Sequence, residues 1–295
     1  MEKNSLVEAV ERFSQLTAAL PDERLDTPWK WQDYDEGVRF AFFRIYEELH
    51  ALAANLASLR VDQSQPLTTA QRILAQDQIA YRELIPVLLT LTDEESHREP
   101  SPGQWSVWQA LDHIIDAERN FFAVISFALS RARGFLPPEQ PLDDAWVASF
   151  WAEAGDTYEQ DYTRLSFPEI IEYYDSLRSR ELADFAGITP EELSTPSEYW
   201  ESKWMPVEFR LHRFDAHRRQ HTIQIEKTLP LIGKPPGEAL RLLRLVYSAL
   251  GEVEGVMLGV SDLGMGSREA LAGTIAQITD EIARALESPQ SQPND

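Results

Sequence analysis

Apolar residues recur every three to four positions along most of this 295-residue chain, and no run shows sustained two-residue alternation. Between Asp35 and Leu59 the stripe is Val38, Phe42, Ile45, Leu49, Leu52 and Leu56. Between Ser5 and Leu20 it is Leu6, Val10, Phe13, Leu16 and Leu20. That period lines one face of a helix and cannot line one face of a strand. Glycine is scarce, at 13 residues, which argues against a protein of hairpins and tight turns. The chain is therefore expected to be all-α.

Start and stop signals place the remaining helices. One is expected from about Thr68 to Leu91, kinked or shortened by Pro86. The next runs to about Arg133, opened by a capping box of Ser106 and Gln109. A box of Ser166 and Glu169, with Pro168 in the first turn, opens a helix that ends near Gly187. Pro206 begins another, which ends before Pro230 or at Gly233. After the break GKPPG, two more are expected, Glu238 to Leu258 and Ser267 to Leu286. Residues 134–165 read as an irregular insertion holding a short helix or two, and the tail 289–295 as disordered.

Charge and composition narrow the functions. The net charge is -22, from 49 acidic and 27 basic residues. Such a field repels phosphate backbones and anionic lipid heads, so neither nucleic acid nor a membrane surface is an expected partner. There is no cysteine, hence no disulfide, thiolate nucleophile or Cys-type zinc cluster. No apolar run is long enough to span a bilayer, and the cytoplasm is the expected location. A small molecule is the expected partner, and a homodimer stays open.

Three of the six histidines form a pattern. His217 and His221, in LHRFDAHRRQHTIQIEKTL, lie one turn apart on one helix face, close enough to share an ion. His113, in WSVWQALDHIIDAERNFF, could supply a third imidazole from a neighbouring helix and leave a position open for water or substrate. Such a set suits a divalent metal, zinc first because it needs no redox partner, with nickel or ferrous iron as alternatives. Asp116, three residues after His113, is a candidate general base or orienting partner, against its reading as an ordinary polar helix residue. Arg213, four residues before His217, is a candidate for binding a substrate carboxylate, against a salt bridge to a neighbouring helix. Gln220 and Gln224 share that standing. Asp112 and Glu118 read as charges on the helix flank. Trp105, Trp108, Trp200 and Trp204 read as core or pocket mouth near the capping loops. His212 falls about 140° around the helix from His217 and should miss the metal.

The stretches W-S-V-W-Q-A-L-D-H-I-I-D-A-E-R-N-F-F and E-F-R-L-H-R-F-D-A-H-R-R-Q-H-T-I-Q, with ITPEEL before the second, resemble the DinB-like superfamily over roughly Thr68 to Leu231. The resemblance implies an up-down-down-up four-helix bundle with a metal on His113, His217 and His221. It also implies metal-dependent thiol transfer (bacillithiol, mycothiol or glutathione type), isomerisation or hydrolysis as family chemistries. The 134–165 insertion and the flanking helices depart from that pattern.

A weak internal repeat relates LTAALPDERLDTPWKWQDYDEGVRFAFFRIYEEL to LLTLTDEESHREPSPGQWSVWQALDHIIDAERNFF. It suggests a metal-binding bundle over 66–233, nested in a split, degenerate second bundle of 1–60 plus 236–288. In that register Arg39 stands near the place of His113, and Thr274 and Ile278 near those of His217 and His221, so the split copy would lack the site. Two functional readings follow. One is an enzyme in which a metal activates a thiol or a water for transfer or hydrolysis. The other is a non-catalytic metal- or small-molecule-binding module, and against both stands a structural reading with no metal and the histidines serving as core.

Overall fold

The computed structural model describes residues 5–137, 139–157, 162–198 and 203–287, so the expected tail and Trp200 lie outside the described residues. The α-helices among these are α1 (Ser5–Thr17), α2 (Val38–Asp62), α3 (Thr69–Leu88), α4 (Asp93–Ser96), α5 (Val107–Ala132), α6 (Asp144–Glu153), α7 (Phe167–Phe185), α8 (Pro190–Leu193), α9 (Val207–Leu231), α10 (Glu238–Met257) and α11 (Met265–Glu287). The strands among the described residues are a two-residue antiparallel pair, β1 (Pro196–Ser197) and β2 (Met205–Pro206). The all-α expectation holds.

The caps explain the boundaries. Ser106 Oγ accepts from Gln109 N at 3.2 Å while Gln109 Oε1 accepts from Ser106 N at 2.9 Å, which satisfies two orphan donors at the start of α5. Thr92 with Glu95 makes the same exchange and starts the one-turn α4 inside a stretch read from sequence as loop. Pro86 ends α3 two residues later. Pro230 does not stop α9 ahead of itself. In the last turn it forfeits a single backbone bond, and the helix closes with Ile232 N donating to Thr228 O at 3.2 Å.

The contacts divide the chain into two compact units: residues 67–77 with 91–232, and residues 1–66, 78–90 and 233–295. Helix α3 therefore contributes its first half to one unit and its second half to the other.

Within the 67–77/91–232 unit, side-chain pairs fix the helix directions. Gln71 with Ala186 and Asp77 with Arg178 run α3 against α7. Glu118 with Tyr174 and Phe122 with Phe185 run α5 alongside α7. Arg218 with Tyr174 and Phe214 with Phe185 run α9 against α7. The order is up-down-down-up, and the parallel α5–α7 step uses the long 134–165 connection as its crossover. Arg119 pins that connection: its guanidinium lies 3.8 Å over the Trp151 ring and donates to Asp156, Tyr173 and the Thr157 carbonyl.

Within the other unit, α10 packs along α2 and α1 along α11. Phe13 meets Phe42 edge-on at 4.9 Å, and Ser14 Oγ lies 3.0 Å from Tyr247 Oη. Glu254 of α10 accepts from Gln78 at 2.8 Å and from Arg82 at 2.5 and 2.7 Å, which ties in the second half of α3. At the repeat-aligned positions, Arg39 pairs with Glu238 and Asp26, Thr274 is exposed and Ile278 is buried. Among the described residues the one group with metal-binding geometry lies in the first unit.

Candidate metal centre

Helix α5 carries His113 near its start, and α9 carries His217 and His221 on either side of its middle. Because the two helices run antiparallel, those regions meet. One nitrogen from each of the three imidazoles lies within 4.8 Å of the other two. The Nε2 atoms of His113 and His217 are 3.3 Å apart. Two nitrogens bound to one tetrahedral zinc at 2.0–2.1 Å would stand about 3.3 Å apart, so this spacing fits a shared divalent ion. The alternative, a direct hydrogen bond, would use one of these nitrogens as donor and leave the third imidazole without a role.

His217 and His221 are buried and His113 half-buried. Burial pushes the His217 imidazolium down to about 3, with the charges of His221, His113, Arg213 and Arg218 acting the same way. Burial also lowers His221, against a bond from its Nδ1 to Gln224 Oε1 at 2.8 Å. Both rings are thus neutral at pH 7, the state a metal requires. The Gln224 bond orients the His221 ring as second-layer partners of ligating histidines do. His217 Nδ1 is buried without a hydrogen-bond partner.

Trp105 borders the centre. Its ring is tilted 5.0 Å from that of His113 and stacks at 22° on His221, 6.2 Å away, while 42% of the residue stays exposed. Trp204 lies elsewhere. It contacts Arg131, eighteen residues beyond His113 on α5 and about 27 Å along the helix. Trp108 is buried and stacks on His97. Phe121 presents its edge to His217 at 5.9 Å. Asp116 is exposed and accepts from Asn120 Nδ2 at 3.4 Å, outside the three-histidine group. Arg213 is half-buried one turn before His217, close enough for its charge to act on that ring. His212 is exposed and outside the group, and His50 pairs with Glu252.

Directly behind the histidines, the helices of the bundle share a buried ionic cluster that the sequence reading missed. Glu118 reads there as a flank charge, but it is fully buried. Arg218 forks onto Glu118 at 3.1 and 2.8 Å, reaches Asp77, and meets Tyr174 Oη at 2.6 Å. Tyr174 donates to Glu118 at 2.8 Å. Arg178 pairs with Asp77 at 2.5 Å and with Glu181 at 3.0 Å. Three carboxyls and two guanidiniums, all nearly or fully buried, leave one excess negative charge if every acid is ionised. Burial pushes Glu118 and Glu181 up; Arg218 opposes this at Glu118, while Glu181 has one guanidinium contact and an unpartnered Oε1. The surplus proton therefore belongs on Glu181. The signal was present in sequence: Asp77, Glu118 and Arg218 occupy positions on apolar stripes such as Ile73–Asp77–Tyr81 and Phe214–Arg218–Ile225, where a solvated charge has no place.

No curated protein and no solved structure matches the chain. A model of the DinB superfamily matches residues 76–225, half of the chain, and that span holds all three histidines, the cluster behind them and the α5–α7 crossover. The protein is a member of the DinB superfamily.

Proposed function

We propose that this protein is a metal-dependent enzyme that activates a thiol or a water for transfer or hydrolysis. The observation that carries the reading is the convergence of three imidazoles, two held neutral by burial, with no fourth protein ligand among the described residues. His113, His217 and His221 would hold a divalent ion, with zinc the best match to an all-imidazole set. Such an ion supplies Lewis acidity, lowering the pKa of a thiol or water beside it into the neutral range.

The chain's own residues supply the rest. Gln224 orients His221. Trp105 shields one side of the centre while staying partly open to solvent. Asp116, on the exposed side of α5, is the candidate to take up the released proton. Its position outside the histidine group supports an open coordination site over the closed one expected of a purely structural metal.

Elemental analysis of the purified protein, followed by titration of the chelated form with zinc, tests the reading. One equivalent per chain is expected, lost on His217→Ala. Because His217 Nδ1 has no partner, the substitution should change the far-UV spectrum little. Normal metal content in His217→Ala, or thiol-transfer and hydrolytic activity that survives metal removal, overturns it.

A further inference from the structure

Arg213, His217 and His221 follow one another at four-residue intervals on α9, so they share one helix face. Arg213 lies one turn, about 6 Å, from the first histidine. It is half-buried, yet among the described residues it makes no ion pair or hydrogen bond. Its neighbours contrast with it: Arg218 is paired with Asp77 and Glu118, and Arg219 with Asp215 at 2.7 Å. Arg268 too lacks a carboxylate, but the Leu263 and Ser261 carbonyls accept its hydrogen bonds, whereas Arg213 has no such acceptor among the described residues.

Its location makes the contrast sharper. A half-desolvated cation beside a cation-binding cluster is unfavourable on two counts, lost hydration and like-charge repulsion. An anion placed between guanidinium and metal would relieve both costs. The planar fork of arginine matches a carboxylate with two parallel hydrogen bonds, a fit that lysine lacks.

We propose that Arg213, one helical turn before His217, is the anchor for a carboxylate carried by the substrate whose other end is delivered to the three-histidine centre. This rests on the metal-dependent reading above. It narrows the substrate class to bifunctional small molecules, with a metal-seeking thiol or oxygen donor at one end and a carboxylate at the other. Trp105, over His221 and His113, bounds the side of the centre away from Arg213 along the helix.

The test is a binding experiment on the full chain loaded with Co(II), read by visible absorption. Two matched probe pairs are titrated: 3-mercaptopropionate against 3-mercaptopropionamide, and succinic monohydroxamate against propionohydroxamate. Each pair keeps the metal-seeking group and removes the carboxylate. The carboxylate member of at least one pair should bind about ten- to a hundredfold more tightly, the usual worth of a hydrogen bond to a charged partner. Arg213→Met should abolish the preference while keeping the cobalt spectrum of the free protein, and Arg213→Lys should keep part of it. Equal affinities within both pairs, or a preference that survives Arg213→Met, overturns the anchor while leaving the metal-dependent function standing. Failure of all four probes to perturb the cobalt spectrum removes that function, and the anchor with it.

Discussion

Replacing Arg218 with methionine would leave Asp77, Glu118 and Glu181 around a single guanidinium, that of Arg178. Methionine is similar in length and fills the space, so packing is nearly kept and the change is electrostatic. Removing one partner of a buried pair costs about 3–5 kcal/mol, because the remaining charge has no water to turn to. Against a total stability of about 5–15 kcal/mol, that is a large share. The stranded carboxyls can limit the loss by taking up protons, at about 1.4 kcal/mol per pKa unit. The deficit should therefore be smaller at pH 5 than at pH 8. The assay is amide hydrogen exchange read by mass spectrometry on peptides from α5, α7 and α9, which reports this unit separately from the rest of the chain. The slowest amides there should lose about 3–5 kcal/mol of protection at pH 8, and peptides from α1 and α11 much less. By contrast, the exposed Arg12–Asp280 pair belongs to the class worth at most about 1 kcal/mol. A loss below about 1 kcal/mol in Arg218→Met, or one that does not depend on pH, refutes the account of the cluster.

Glu181→Gln isolates the surplus proton. With its carboxyl pushed above the ordinary 4.5 by burial, Glu181 contributes stability that is complete below that value and lost as pH rises through the shifted one. The glutamine variant should match the parent at acid pH and exceed it in melting temperature at pH 9; a variant less stable at pH 9 would show that the ionised carboxylate, paired with Arg178, is the favoured form. Gly251→Ala probes the other unit. A Cβ there would stand 2.8 Å from Ile79 Cα and 3.2 Å from Gln78 O, both backbone atoms, so α10 must move off α3. A loss of about 1–3 kcal/mol is expected in urea titration, and an unchanged midpoint contradicts the close approach.

Much of this molecule is readable from its residues. The helices announce themselves through spacing and caps: Ser106 with Gln109 and Ser166 with Glu169 open helices where expected. Thr92 with Glu95 carries the same signature, but the four-residue helix it opens is too short to show an apolar period. The histidines were legible because two of the three share α9 at a one-turn spacing that shows in the sequence itself. The buried ionic cluster was not, because each of its members looks ordinary alone. Asp77, Glu118, Arg178 and Arg218 stand on separate helices, and charge pairing across helices leaves no local pattern. Their positions on apolar stripes were the available clue. Arg213 was singled out by its distance from His217, but sequence left a salt bridge equally open. Only the packed structure shows that no carboxylate of the described residues reaches it.

The division of the chain also bears on the order of events during synthesis. The residues of one unit lie inside the sequence of the other, and α1 and α2 pack on α11 and α10 from the far end of the chain. At about 5–20 residues per second, roughly 225 residues must be added after α2 before α11 is complete, a delay of about 11–45 s. Helices α5, α7 and α9 can collapse around their ionic cluster within that interval, since helix formation and collapse take microseconds to milliseconds at most. The apolar faces of α1 and α2 must wait. A nascent chain stalled between α9 and α10 would hold a finished three-histidine bundle and, in α1 and α2, two amphipathic helices still without α11 and α10, which makes that stretch the window in which a ribosome-associated chaperone has most to do.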